Sequence, residues 1–85
     1  MEEVILRTVA IQFDGRVVEV FTVHYSVRVH VALMPKPEIG KPNRRGRTKI
    51  GLGTSFGVDA DEMPKLRPLL DKITAAILTA QAERR

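Results

Sequence analysis

The chain has 85 residues, 44% hydrophobic and 28% charged, the balance of one small domain spanning residues 1–85. It has no cysteine, which excludes disulfides, a thiol nucleophile and Cys-ligated zinc and fits a reducing, cytoplasmic setting. The net charge of +4 is local: residues 36–49 carry six basic side chains against one acidic, net +5, and the rest of the chain eight against nine, net −1.

The opening MEEVILRTVAIQFDG is acidic before its apolar part and then alternates, so it reads as neither a signal peptide nor a membrane span. Residues 3–13 are β-branched and apolar, broken by Arg7 and Gln12, and Asp14-Gly15 separates them from RVVEVFTV. Asp-Gly between two such runs predicts a type I′ hairpin turn, whose two central residues need positive φ. That register sets Phe13 against Arg16, Ile11 against Val18 and Val9 against Val20 on one face. The other face pairs Gln12 with Val17, Ala10 with Glu19, Thr8 with Phe21 and Leu6 with Val23. A hairpin apolar on both faces, in different places, suits a strongly bent sheet, a small barrel or a dimer contact.

Residues 26–34 alternate as a strand, with Val27, Val29, Val31 and Leu33 toward a core and Arg28, His30, Ala32 and Met34 away from it. Pro35 ends it. The following MPKPEIGKPNRRGR, with three prolines and two glycines, predicts a long loop or an interrupted edge segment. Alternation resumes over 47–58, as one long bent strand or two short ones meeting near Thr54-Ser55. Ile50, Leu52, Thr54, Phe56 and Val58 share one face, and Gly51, Gly53, Ser55 and Gly57 form a row of small residues on the other. Residues 59–83 read as a helix, with Asp59 as N-cap, Glu62 three residues on, and a stripe of Met63, Leu66, Leu70, Ile73, Ile77 and Ala80. Pro68 predicts an irregular first turn and a regular helix from about residue 66. The tail QAERR is polar, and its two arginines complement the negative end of the helix dipole. The expected fold is α+β: a bent antiparallel sheet of four to five strands packed by one C-terminal helix.

No catalytic constellation emerges. The glycines of GLGTSFG alternate within a strand, whereas a dinucleotide fingerprint puts them at a strand-to-helix turn. His24 and His30 have no carboxylate at a metal-ligand spacing, and Ser26 and Ser55 have no base and orienter. Asp59, Asp61 and Glu62 are acids at a helix start, where the dipole favours them. The expectation is a protein that is not an enzyme and uses no cofactor or metal. The basic stretch KPNRRGRTK offers Lys41, Arg44, Arg45, Arg47 and Lys49, with Arg28 in support, as contacts for nucleic-acid phosphate or for the headgroups of an acidic membrane. The same residues also suit a solvated hairpin tip protected from edge-to-edge pairing. Stacking aromatics are few: Phe13, Phe21, Tyr25 and Phe56.

VAIQFDGRVVEV, RVHVALM, KIGLG and FGVDADEMPKLRPLLDKI, in that order, resemble the plan of small bacterial pleckstrin-homology-like domains over most of the chain. The resemblance implies a bent antiparallel sheet closed at one end by a C-terminal helix, with seven strands where the residues mark out four or five. It implies an interaction module, here with a protein partner bound through the sheet. RRGRTKIGL followed by VDADEMPKLRPLLDKITAAI is similar to the basic turn, last strand and helix of single-stranded-DNA-binding coactivators. That likeness implies four strands, a dimerising helix and nucleic-acid contact through Arg44, Arg45, Arg47 and Lys49, with Arg28 and Lys41 in support. Association as a homodimer is expected from Leu6, Phe21 and Val23 on the hairpin's second face and Leu69 and Leu78 on the helix, which exceed what one small core needs.

Overall fold

Asp14 sets the first turn. Its carboxylate accepts the backbone N–H groups of Arg16 at 2.9 Å and Val17 at 2.8 Å, and its own N–H donates to the Val17 carbonyl at 3.3 Å. These bonds make Gly15-Arg16 the central pair, with Gly15 at φ 100°, in place of the expected Asp14-Gly15. Strands β2 (Val9–Phe13) and β3 (Val17–Thr22) therefore pair Phe13 with Val18, Ile11 with Val20 and Val9 with Thr22. Each residue meets a partner two positions from the predicted one. Because side chains alternate with period two, such a slip leaves every residue on its predicted face. Val9, Ile11, Phe13, Val18 and Val20 are all buried.

The computed structural model describes residues 1–83. The run 3–13 is two strands, not one: β1 (Glu2–Ile5) folds back on β2, with Val4 opposite Ile11 and the Leu6 N–H donating to the Val9 carbonyl at 2.8 Å. β4 (Ser26–His30) completes an antiparallel sheet in the order β1-β2-β3-β4. β4 is shorter than predicted. The His30 ring nitrogen Nδ1 accepts the Ala32 N–H at 3.0 Å and starts a 3-10 turn over Val31–Leu33. The turn breaks the alternation, so Met34 is buried and Leu33 is 72% exposed, the reverse of the strand reading.

The proline-rich segment contributes a two-residue edge strand, β5 (Glu38–Ile39), to a second antiparallel sheet with β6 (Arg47–Gly51) and β7 (Ser55–Asp59), in the order β5-β6-β7. Residues 47–58 are thus two short strands. They turn at 52–54, where the Leu52 N–H reaches the Thr54 carbonyl at 2.7 Å and Gly53 takes φ 73°. The α+β class holds, with seven strands in two sheets among the described residues in place of the expected single bent sheet of four to five strands.

A 3-10 turn (Ala60–Glu62) leads into α1 (Met63–Glu83). The helix is regular from Met63, three residues earlier than expected, and runs through Pro68. Pro68 and Pro64 are both exposed, so the carbonyl that Pro68 leaves without a helical donor can be hydrated. Met63, Leu66, Leu70, Ile73 and Ile77 are buried against both sheets' inner faces, and Ala80 packs beside them. Gln81 donates to the Met34 carbonyl at 2.9 Å, and Lys72 pairs with Glu2, tying the helix to the end of the 3-10 turn and to β1. Leu6 and Leu69, two of the residues assigned to a dimer contact, belong to this core at 7% and 2% exposure. Arg84 and Arg85, assigned to the helix dipole, lie outside the described residues.

Candidate interaction surfaces

The basic segment is an ordered turn between β5 and β6. The Asn43 side-chain oxygen accepts the N–H groups of Arg45 at 2.9 Å and Arg47 at 3.0 Å, and the Asn43 N–H donates to the Arg47 carbonyl at 2.8 Å. Gly46 closes the turn at φ 74°, and its carbonyl accepts the N–H of Ala60 at 2.7 Å. Lys41, Arg44, Arg45 and Lys49 are exposed. Arg47 is not free. Its guanidinium donates to the Gly57 carbonyl at 3.1 Å and stands 3.9 Å from the Asp59 carboxylate. Arg28 belongs to the other sheet, opposite Glu19 on β3, and its charge is among those that favour the Asp14 carboxylate. The structure thus keeps five of the six candidate cations on one hairpin, commits Arg47 to β7, and sets Arg28 among acids of the four-stranded sheet.

Outward-facing residues of that sheet sort into rows. Glu3, Gln12, Glu19 and Arg28 are cross-strand neighbours in one, with Gln12 donating to Glu3 at 2.5 Å. The next row is Ile5, Ala10, Phe21 and Ser26. Ile5 is 69% exposed, and Val23, just past the end of β3, is 77% exposed. The sheet therefore presents an apolar strip beside a charged one. A groove of about 660 Å³ also runs between the β2–β3 turn and the C-terminal half of α1, lined by Gly15, Arg16, His30, Ala76 and Ala80 among others.

Three arrangements were not legible in the sequence. Arg7, at the β1–β2 break, pairs with Asp59 at 2.6 Å and Asp61 at 2.9 Å, and its backbone N–H donates to the Glu62 carboxylate at 3.0 Å. Asp59 makes no capping bond, so the acids read as helix caps instead clasp a turn more than fifty residues away. The Arg7 guanidinium is held above its ordinary range by its bonds to Asp61 and Asp59, and Asp61 is lowered by the bond from Arg7. Backbone donors, Val17 and then Arg16, lower Asp14. Tyr25, half exposed, joins the two sheets: its hydroxyl lies 3.1 Å from the Thr54 hydroxyl and donates to the Ser55 carbonyl at 3.2 Å. Third is the path of Arg47 across β7 at Gly57, where a Cβ would stand 2.9 Å from the guanidinium.

The fold and these surfaces define a small α+β domain of two antiparallel sheets and one C-terminal helix. No protein-family model, curated protein or solved structure matches the chain. Among the described residues, no helix is long and apolar enough to cross a membrane, and no group of three or more His, Asp or Glu side chains is placed to hold a metal ion.

Proposed function

We propose that this protein is a non-enzymatic interaction module of the pleckstrin-homology-like type that binds a protein partner through its four-stranded sheet. The strip of Ile5, Ala10 and Phe21, continued by Val23, carries the reading: these apolar side chains stand in one cross-strand row on the outward face of the sheet, beside a charged row. Seven strands followed by one C-terminal helix is also the count that the pleckstrin-homology-like resemblance implies. Site-specific photocrosslinking in cells that make the protein tests it. A photoreactive residue at Ile5 or Val23 gives a discrete adduct with another protein, and one at exposed Arg67 on the helix does not. Equal labelling from all three positions refutes the proposal. Adducts only with a second copy assign the strip to a homodimer, which light scattering checks. Of the residues assigned to such a dimer, Phe21, Val23 and Leu78 remain outside the core.

A second reading rests on the ordered turn: Arg44 and Arg45 have no ion pair among the described residues, and Asn43 fixes the backbone beneath them. In this reading the turn binds single-stranded nucleic acid, with affinity falling steeply as salt rises. A labelled oligonucleotide titrated at low and moderate salt decides it. Binding that is absent at low salt, or unchanged by Arg44→Ala with Arg45→Ala, sinks this reading.

A further inference from the structure

The sheets have four edges, and three of them are partly covered; the least covered of these is β1, where by parity with the Leu6–Val9 bond the main-chain groups of Glu3 and Ile5 point off the edge. β1 lies beside α1, with Glu2 paired to Lys72. β5 is two residues long between prolines at 37 and 42. On β7 the bonds from Ala60 to Gly46 and from Leu52 to Thr54 mark the hydrogen-bonded pairs, so by parity the main-chain groups of Ser55, Gly57 and Asp59 point off the edge. The carbonyls of Ser55 and Gly57 are occupied, by the Tyr25 hydroxyl and the Arg47 guanidinium respectively, and the Asp59 side chain is held by Arg7.

β4 has no such cover. The Thr22 N–H reaches the Tyr25 carbonyl and the Val31 N–H reaches the Arg16 carbonyl, each at 2.8 Å. These two bonds phase the ladder, so Val27 and Val29 bond to β3. The N–H and C=O of Ser26 and Arg28, and the N–H of His30, then point off the open edge, and all three residues are exposed. Natural sheets shield such edges unless a strand is to be added there. Resting on the reading that the sheet is the binding element, we infer that β4 receives an extended segment of the partner protein as a fifth strand, with an acidic residue opposite Arg28.

Charge selects that occupant. Arg28 has Glu19 opposite it on β3 but makes no ion pair within 4 Å among the described residues, and its other side faces the open edge; opposite charges on facing strands stabilise each other while like charges repel. A second copy is disfavoured, because the antiparallel register with the longest overlap puts Arg28 against its own counterpart. The inner side of the added strand continues the row of Val27 and Val29, so its residues flanking the acid are apolar. Val29 also borders the β6–β7 turn at Gly53, where a cleft of about 270 Å³ opens over Leu52, Thr54 and Ser55.

The test uses two peptides, acetyl-Thr-Thr-Val-Glu-Val-Thr-Thr-amide and its counterpart with Lys in place of Glu, and amide hydrogen exchange read residue by residue. The Glu peptide slows exchange at Ser26, Arg28 and His30 and leaves Val27 and Val29 unchanged, since those amides already bond to β3. It binds about three- to tenfold tighter than the Lys peptide. Arg28→Gln abolishes that preference and Arg28→Glu inverts it. Three results overturn the inference: no slowing at the three amides, slowing at β1 or β7 instead, or equal slowing by both peptides. Crosslinking from Ile5 and Val23 to a partner in any of these cases leaves the sheet reading standing while the edge assignment fails.

Discussion

Gly46 and Gly53 form a natural controlled experiment on how the two sheets meet. Both have nearly the same positive φ, 74° and 73°. A Cβ added at Gly46 meets nothing within 4 Å, whereas one at Gly53 stands 3.0 Å from Cγ2 of Val29 on β4. Gly46→Ala therefore reports backbone strain alone, about 1–2 kcal/mol for a non-glycine residue in the left-handed region. Gly53→Ala adds overpacking, which costs about 1–3 kcal/mol in a closed core. Val29 is only partly buried and sits on an edge strand, so about 1 kcal/mol is expected. In urea, the midpoint falls by roughly 1 M for Gly46→Ala and by roughly half as much again for Gly53→Ala, with m unchanged. Val29→Ala removes the obstructing methyl, so the double substitution with Gly53→Ala is milder than the sum of the two singles by about 1 kcal/mol. Equal losses for the two alanines, or strict additivity with Val29→Ala, would refute the placement of the β6–β7 turn against β4.

Other outcomes follow from the same contacts. Asn43→Ala removes two bonds to backbone donors in an exposed turn, so it lowers stability by about 1 kcal/mol in a urea titration and speeds exchange of the Arg45 and Arg47 amides. Asp14 and Asp61 are both lowered below their ordinary range by donors present only in the folded chain. Their stabilisation is complete above the unfolded carboxylate range and is lost as pH falls through the lowered folded values. Urea midpoints measured from neutral to strongly acidic pH fall accordingly, and Asp14→Asn makes that fall shallower. Ile73→Ala, at a fully buried position on the helix stripe, costs about 2–5 kcal/mol by thermal unfolding; a loss under about 1 kcal/mol would mean that the helix does not seal the core.

Much of the interior was readable because it depends on spacing alone. Alternation placed Ile11, Phe13, Val18 and Val20 on one face of a hairpin even with the register two residues out, since the face survives an even slip. Spacings of three and four placed Leu66, Leu70, Ile73 and Ile77 on one side of a helix, and the interruption by prolines 35, 37 and 42 marked a weak edge. The basic turn was visible as composition. Its order was not, because Asn43 does the ordering through backbone groups that composition does not display.

Contacts between distant parts of the chain decided the rest. Why residues 3–13 break at Arg7 depends on Asp59, Asp61 and Glu62, whose carboxylates could equally have capped a helix. Where β4 stops depends on a ring nitrogen of His30 and on the burial of Met34 beneath α1, so local alternation pointed Leu33 the wrong way. Whether Leu6 and Leu69 are core or surface turns on which surfaces two sheets and a helix can cover together. Periodicity along one element specifies which side chains share a face; only the packing of that element against others specifies which faces, edges and charges remain for a partner.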